Sequence, residues 1–476
     1  MNAVVTPDTL NYKVRTVFGR LAIDKRRLPS SQLGQRSVPA YVAEWLLDSL
    51  TPGEGPITSE ELRKVQEWAN RFLPHPDESK IIKNRLLNGE IVKVLTPVEV
   101  EILLNRKISE RVAQLKLLGL LDVHVSDSIV NTYPDLLKQG MWGVAELIGT
   151  QAGVVLTDFK PMQASVDLEL FKEKSTAFSL EEWRALLLTS MGYNPWAFSE
   201  QEKTYLLCRL LPLVEKNLHI LELAPKGTGK SYLYENISPR VRLVSGGNVS
   251  PAVLFVNNAS GQWGLLARFA VVVLDEVQTL KFERPQEIIG GLKGFLANGR
   301  LTRGGLYETT SSCSLVMLAN IVLDSEQRPI HDPLLVKELP DFLQETAFID
   351  RLRGIIPGWK VQKLSSESFA QGFGLKSDFF GDTLLSMRED VTSNQFTNKN
   401  IQLKGKKLYK RNEDAVRLIA SGLMKIQFPH GKINSEEFNH YCVRPAVELR
   451  QLVWRQLYIL DAEYRQYDEE IQYDIR

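Results

Sequence analysis

The residues best suited to chemistry lie in Pro225-Lys226-Gly227-Thr228-Gly229-Lys230-Ser231 and in Asp275-Glu276. Glycines on both sides of Thr228 leave a loop whose backbone N–H groups can approach a phosphate without side chains in the way. Lys230 is spaced to reach the β- and γ-phosphates of a nucleotide, and Ser231 to hold Mg²⁺. The full phosphate-loop pattern asks for glycine six residues before Lys230, where this chain has Ala224, but the GTGKS core is intact. Asp275 can complete the Mg²⁺ shell and Glu276 can polarise an attacking water. Asn320 closes a third apolar run, and an amide there can orient the same water and sense the γ-phosphate. The chemistry implied is ATP hydrolysis, with ATP and Mg²⁺ as cofactors.

For these residues to meet, the segments that carry them must be strands of one sheet. His219 to Ala224 (HILELA) runs into the glycine loop, Phe269 to Leu274 (FAVVVL) ends at Asp275, and Ser314 to Ala319 (SLVMLA) ends at Asn320. The second is a continuous apolar run, as a strand buried on both faces should be. Short apolar runs alternate with helical stretches from about residue 200, which implies βαβ units and a parallel sheet. A short helix should follow the loop, with its positive end towards the phosphates. The expected fold is α/β: a P-loop AAA+ ATPase core over 201–365, with a mixed α/β N-terminal domain over 1–150 and a helical C-terminal lid over 412–476. A helical connector (151–200) and a polar, then basic, linker (366–411, with Lys404, Lys406, Lys407, Lys410 and Arg411) join them.

Within 1–150, Val38 to Leu50, a capped stretch from Thr58 to about Phe72, and Ser79 to Asn88 read as helices. Glu90 to Leu95 alternates like a strand, and Val98 to Leu118 reads as a long helix bearing Arg106, Lys107, Arg111 and Lys116. Ser179 to Met191 is a further helix with a good N-cap. Phe342 to Arg353 reads as a helix carrying Arg351 and Arg353. Gly299 to Glu308, with Arg300 and Arg303, reads as a hairpin turning at Gly304-Gly305.

Net charge is +1, so nucleic-acid binding would have to come from a local patch or an oligomeric channel and not from the charge of the whole molecule. Cys208, Cys313 and Cys442 lie far apart and suit neither a disulfide framework nor a zinc site. No signal peptide and no stretch of about 18 apolar residues is present, so a cytoplasmic protein without a membrane span is expected.

Several stretches resemble one family. Val38-Pro39-Ala40-Tyr41-Val42, Leu136 to Gly143 (LLKQGMWG), Glu181 to Tyr193, Leu210 to Tyr232, Ser245-Gly246-Gly247, Leu254-Phe255, Arg303-Gly304-Gly305 and Asp350 to Trp359 (DRLRGIIPGW) are similar, in this order, to the Lon-like AAA+ ATPases of BREX phage-resistance systems, the BrxL family. The resemblance spans most of the chain. It implies bacterial antiviral defence, hexameric or double-hexameric rings, duplex DNA in the channel and other BREX proteins as partners. By the same resemblance, Arg351, with Arg353 second, would be lent to a neighbouring subunit's ATP, Arg300 and Arg303 would meet DNA phosphates, and Arg450 would be a lid sensor for the nucleotide. Longer members continue into a Lon-protease-like domain, whereas this chain stops at Arg476, so intrinsic peptidase activity is not expected. Two other readings stand beside a DNA-bound motor: a Lon-related unfoldase or protease component, and a nucleotide-gated DNA scaffold that recruits other defence proteins.

Overall fold

The computed structural model describes residues 5–36, 38–104, 109–162, 166–258, 261–303 and 307–476. Early helices follow the expected boundaries. Ala40–Leu50 begins after Pro39, and Ser59–Phe72 is capped by a reciprocal pair of bonds between Thr58 and Glu61. The stretch expected to be helical from Val98 to Leu118 is instead two antiparallel strands, the end of Ile91–Leu104 and all of Ser109–Leu115. Composition rich in Glu, Leu, Arg and Lys favours helix, but tertiary context overrides it. Val98 and Val100 are buried while Glu99 between them and Glu101 after them are only half-buried, so the stretch already carried a period of two. Of the four cations placed on that helix, Arg111 pairs with Asp127 and Lys116 with Glu99, while Arg106 and Lys107 lie outside the described residues.

These strands close a five-stranded barrel with Leu120–Val125, Gly153–Pro161 and Met141–Thr150, in that order round the wall. All neighbours are antiparallel except Leu120–Val125 with Gly153–Pro161. With the helix Asp127–Thr132 between its third and fourth strands, this is OB-type connectivity. The last barrel strand runs to Pro161, so a boundary at 150 would cut a paired hairpin.

The second body is built on a parallel sheet of five strands, ordered Gly354–Pro357, Ile220–Ala224, Ser314–Asn320, Val271–Asp275, Val241–Ser245. Ile220–Ala224 and Val271–Asp275 are buried at every position, which explains the unbroken apolar run of Val271 to Leu274 and leaves Glu222 as a buried charge within the other strand. Register places Asn320 beside Ala224 and Leu274 beside Met317, so the C-terminal ends of the three central strands lie together. The helix expected from Phe342 to Arg353 is only a 3₁₀ turn, Asp341–Leu343, and a four-residue helix, Thr346–Ile349.

Residues 366–411 are not a linker. Phe373–Leu375 pairs with Ala22–Asp24, Ser377–Ser386 and Thr392–Asn400 are helices, and Ile401–Lys404 pairs with Gln472–Ile475. Glycine is used here for close packing: a Cβ at Gly374 would stand 2.9 Å from the Ser190 backbone, and one at Gly372 would stand 2.2 Å from Asn11 Oδ1. The expected helical end is also corrected, because Gln472–Ile475 is a strand beyond the helices Lys410–Gln427 and Arg444–Leu460.

Asp378, on Ser377–Ser386, is 4% exposed, and burial pushes its carboxyl up to about 6, with Glu44 and Asp382 adding to the rise. A carboxyl raised in the folded state binds protons the unfolded chain has released, so its contribution falls as pH rises from about 4 to 6. Asp378→Asn keeps an acceptor for the Phe379 N–H, which bonds Oδ1 at 2.8 Å. This variant should be more stable at pH 7.5 by about 1–3 kcal/mol, with the gain shrinking towards pH 4. Thermal midpoints at the two pH values check this; a loss of stability at pH 7.5 would refute it.

Candidate functional site

The glycine loop leaves the sheet at Ala224, at the C-terminal edge where ligands of open α/β sheets bind. Gly227 and Gly229 take φ of +87° and +69°, the left-handed region that costs other residues energy. A Cβ at Gly227 would meet nothing within 4 Å, whereas one at Gly229 would collide with Leu364 Cδ1 at 2.6 Å. Gly227 therefore faces open space, while at Gly229 the left-handed backbone is what favours glycine, with the ends of the Leu364 and Tyr193 side chains close behind the loop.

Two hydrogen bonds draw the distant motifs together. Lys230 Nζ donates to Asn320 Oδ1 at 2.8 Å, and Ser231 Oγ donates to Asp275 Oδ2 at 2.9 Å. Burial pulls the Lys230 ammonium below the usual lysine range, with the charges of Glu222, Asp275 and Glu276 opposing that pull. Glu276 has φ +47°, a left-handed conformation uncommon outside glycine, and its N–H donates to Asp275 Oδ1 at 2.9 Å. Strain of this kind persists only where the surroundings enforce it. Here the Thr279 N–H and hydroxyl both bond Glu276 O, at 2.7 and 2.9 Å. Gln278, absent from the motifs read in the sequence, donates from Nε2 to Asn320 O at 2.7 Å and so helps to seat the Asn320 backbone.

Lys230, Ser231, Asp275 and Asn320 are thus brought into one cluster, with Glu276 adjoining it in the chain. The Ser231 hydroxyl and Asp275 carboxylate converge as an oxygen pair suited to a hard divalent cation, so the expected Mg²⁺ fits these two side chains. The helix after the loop, Tyr232–Asn236, has five residues. Its dipole is correspondingly small, so the groups placed to meet an anion here are the loop N–H groups and Lys230.

The expected arginines lie elsewhere. The Arg353 N–H donates to His219 O, just before Ile220–Ala224, at the end of the sheet opposite the loop. Five residues at ~3.3 Å each separate the two ends by roughly 16 Å. Arg351 is at that far end and its Nη1 bonds Ala347 O. Arg450 is fully buried there: Nε donates to Asn412 Oδ1 at 2.7 Å, and Nη2 and Nη1 donate to the Asp350 side chain and backbone, each at 3.2 Å. The structure does not bring Arg450, read as a lid sensor, to the loop; it joins the helix Arg444–Leu460 to the sheet edge. Arg300 and Arg303 lie on the strand Arg300–Arg303, paired with Tyr307–Thr310, which leads into the start of Ser314–Asn320 and so also belongs to the far end. Arg300 pairs with Glu308 at 2.6 Å with both side chains exposed. The turn at Gly304-Gly305 and the Arg303 side chain lie outside the described residues.

A family model described as "Lon-like protease BrxL-like, ATPase domain" matches residues 154–470, and one described as "BREX system Lon protease-like protein BrxL N-terminal" matches 16–148. The chain belongs to the BrxL family. Curated relatives named Lon-like protease BrxL include one from Escherichia coli O9:H4 (strain HS), 32% identical over 429 residues, 88% of this chain and 61% of that protein. Another, from Bacillus cereus (strain H3081.97), is 30% identical over 442 residues, 90% of this chain and 64% of that one. The chain thus spans somewhat under two thirds of the length of these BrxL relatives. A full-length MCM homolog from Methanopyrus kandleri matches 77% of each chain at 15% identity, with a TM-score of 0.39. The BrxL ATPase match contains the whole parallel sheet with its loop, and among the described residues no helix is long and apolar enough to cross a membrane.

Proposed function

We propose that this BrxL-family chain hydrolyses ATP to ADP and phosphate as a ring of identical subunits with duplex DNA in its channel, in BREX antiphage defence. The observation that carries the ATPase reading is the convergence of Lys230 on Asn320 and of Ser231 on Asp275 at the strand ends. Loop N–H groups and Lys230 bind the phosphates. Ser231 and Asp275 would hold Mg²⁺, which would supply shielding of the charge on the reacting phosphate. Glu276 accepts a proton from the attacking water, and Asn320 orients that water.

The far-end position of Arg351 supports assembly. Roughly 16 Å of sheet separates it from its own loop. Arg351 can therefore stabilise transition-state charge only on a neighbour's nucleotide, and turnover requires an oligomer.

The exposed Arg300–Glu308 pair supports the DNA reading. An exposed ion pair is weakly held, so Arg300 can exchange Glu308 for a backbone phosphate. The OB-type barrel, an architecture that often binds oligonucleotides, agrees with it by fold-level analogy. Arg300→Ala with Arg303→Ala should weaken duplex binding equally across sequences. It should also lower the slope of log affinity against log salt by about one per lost phosphate contact. Fluorescence anisotropy over a salt series measures both. Wild-type affinity and slope in the double variant would remove the hairpin from the DNA interface.

A further inference from the structure

Three successive carbonyl oxygens of the phosphate loop are held from behind by three separate segments. The Leu364 N–H donates to Gly227 O at 2.8 Å, Arg209 Nη1 to Thr228 O at 3.2 Å, and Tyr193 Oη to Gly229 O at 3.2 Å. In a trans peptide the C=O of one residue and the N–H of the next point in opposite directions. Anchoring these three carbonyls to the protein body therefore turns the N–H groups of Thr228, Gly229 and Lys230 outwards. Successive N–H groups on one side of a loop make an anion-binding concavity.

Two of the anchors belong to a buried polar chain. Glu222 sits in the middle of the apolar strand Ile220–Ala224 with no exposure, and Arg209 is equally buried. Arg209 grips both carboxylate oxygens, with Nη2 to Oε1 at 2.6 Å and Nε to Oε2 at 3.1 Å. Its Nη1 also donates to Tyr193 Oη at 2.8 Å, leaving the phenol hydrogen for Gly229 O. Tyr234 Oη, on the helix after the loop, donates to Arg209 O at 2.9 Å. A buried ion pair is often no more stabilising than a well-packed apolar pair of the same volume. Stability alone therefore does not account for a charge pair under this loop, whereas its bonds to two loop carbonyls give it a task.

We infer that Arg209 and Tyr193 are positioning residues: charge-anchored through Glu222, they hold the loop in its phosphate-receiving shape before nucleotide arrives. The inference rests on the loop being the nucleotide site. It assigns the pair to binding of the polyphosphate and not to the chemical step, because neither residue reaches Glu276 or Asn320 by a described hydrogen bond.

The test uses the full chain with Mg-ADP titrations and steady-state ATP hydrolysis. Tyr193→Phe removes one hydroxyl and should weaken ADP binding and raise KM for ATP about three- to tenfold, with kcat within about twofold. Arg209→Met with Glu222→Leu removes both charges together and should weaken ADP binding at least about tenfold, while the melting temperature without nucleotide stays close to wild type. Hydrogen exchange at Thr228, Gly229 and Lys230 should quicken in both. Wild-type ADP affinity in Tyr193→Phe overturns the inference, as does a fall in kcat at unchanged KM. Should the paired replacement fail to fold, Tyr193→Phe decides alone. Lys230→Ala separates the two levels: if it loses ADP while Tyr193→Phe binds normally, the clamp is wrong and the site stands. If Lys230→Ala also binds normally, both fall.

Discussion

Lys230→Ala is expected to abolish measurable ATP binding. Lys230 is 7% exposed and its ammonium is held on Asn320, so its desolvation is already largely met in the folded protein before nucleotide arrives. Removing it leaves the carboxylates of Glu222, Asp275 and Glu276 against the one cation Arg209 among the charges that act on this position, so a triphosphate would meet a net charge of its own sign. Hydrogen bonds to charged groups contribute about 1.5–3 kcal/mol, and the lost attraction adds to that. A weakening of at least about a hundredfold follows. Stability should move the other way or not at all, because a lysine whose charge burial disfavours is a poor source of folding energy. Calorimetric titration with ATP and a melting curve without it measure the two effects. Equal affinity in mutant and wild type would mean that the loop is not the nucleotide site.

The parts of the site legible in the sequence share one physical property. A strand buried on both faces must be apolar throughout, so the polar residue that ends it stands out: Asp275 after Val271–Leu274, and Asn320 after Ser314–Ala319. Parallel register then carries those ends to the glycine loop. Glu222 broke the same pattern inside Ile220–Ala224, and a carboxylate in such a place requires a partner. That partner, Arg209, could have been sought as the nearest preceding arginine.

What stayed hidden depends on contacts distant in sequence. Phe373–Leu375 becomes a strand only by pairing with Ala22–Asp24, and its glycines look flexible until Ser190 and Asn11 fill the space beside them. The barrel strands carried helix-favouring residues beside a short alternation at Val98 to Glu101, and closure of the wall decides between the two periods. The resemblance made Arg450 a sensor, but the carboxylate and carbonyl of Asp350 that occupy it come from a hundred residues earlier. Placing Arg351, Arg450 and the Arg300 hairpin at one end of the sheet and the loop at the other also reframes them. Whatever these arginines do for ATP or DNA, they do from the face remote from their own subunit's nucleotide.

Glu276→Gln separates binding from chemistry. Gln has nearly the shape of Glu and accepts the same backbone conformation at the same cost, so φ of +47° and the Thr279 bonds to Glu276 O are retained. The loop, Lys230 and the Ser231–Asp275 pair are untouched, and ATP affinity should stay within a few-fold of wild type. The amide cannot take a proton from the attacking water, a contribution worth about 10²–10⁴ in rate. Turnover should therefore fall by at least about a hundredfold while ATP remains bound. If nucleotide state controls the grip on DNA, the variant should also dissociate from duplex more slowly in ATP than wild type does, because wild type passes on to ADP and the variant does not. Steady-state phosphate release, ATP titration and a DNA off-rate in ATP give the three readings. Unchanged turnover would remove Glu276 from the proton transfer, and lost ATP binding would assign it to the nucleotide shell instead.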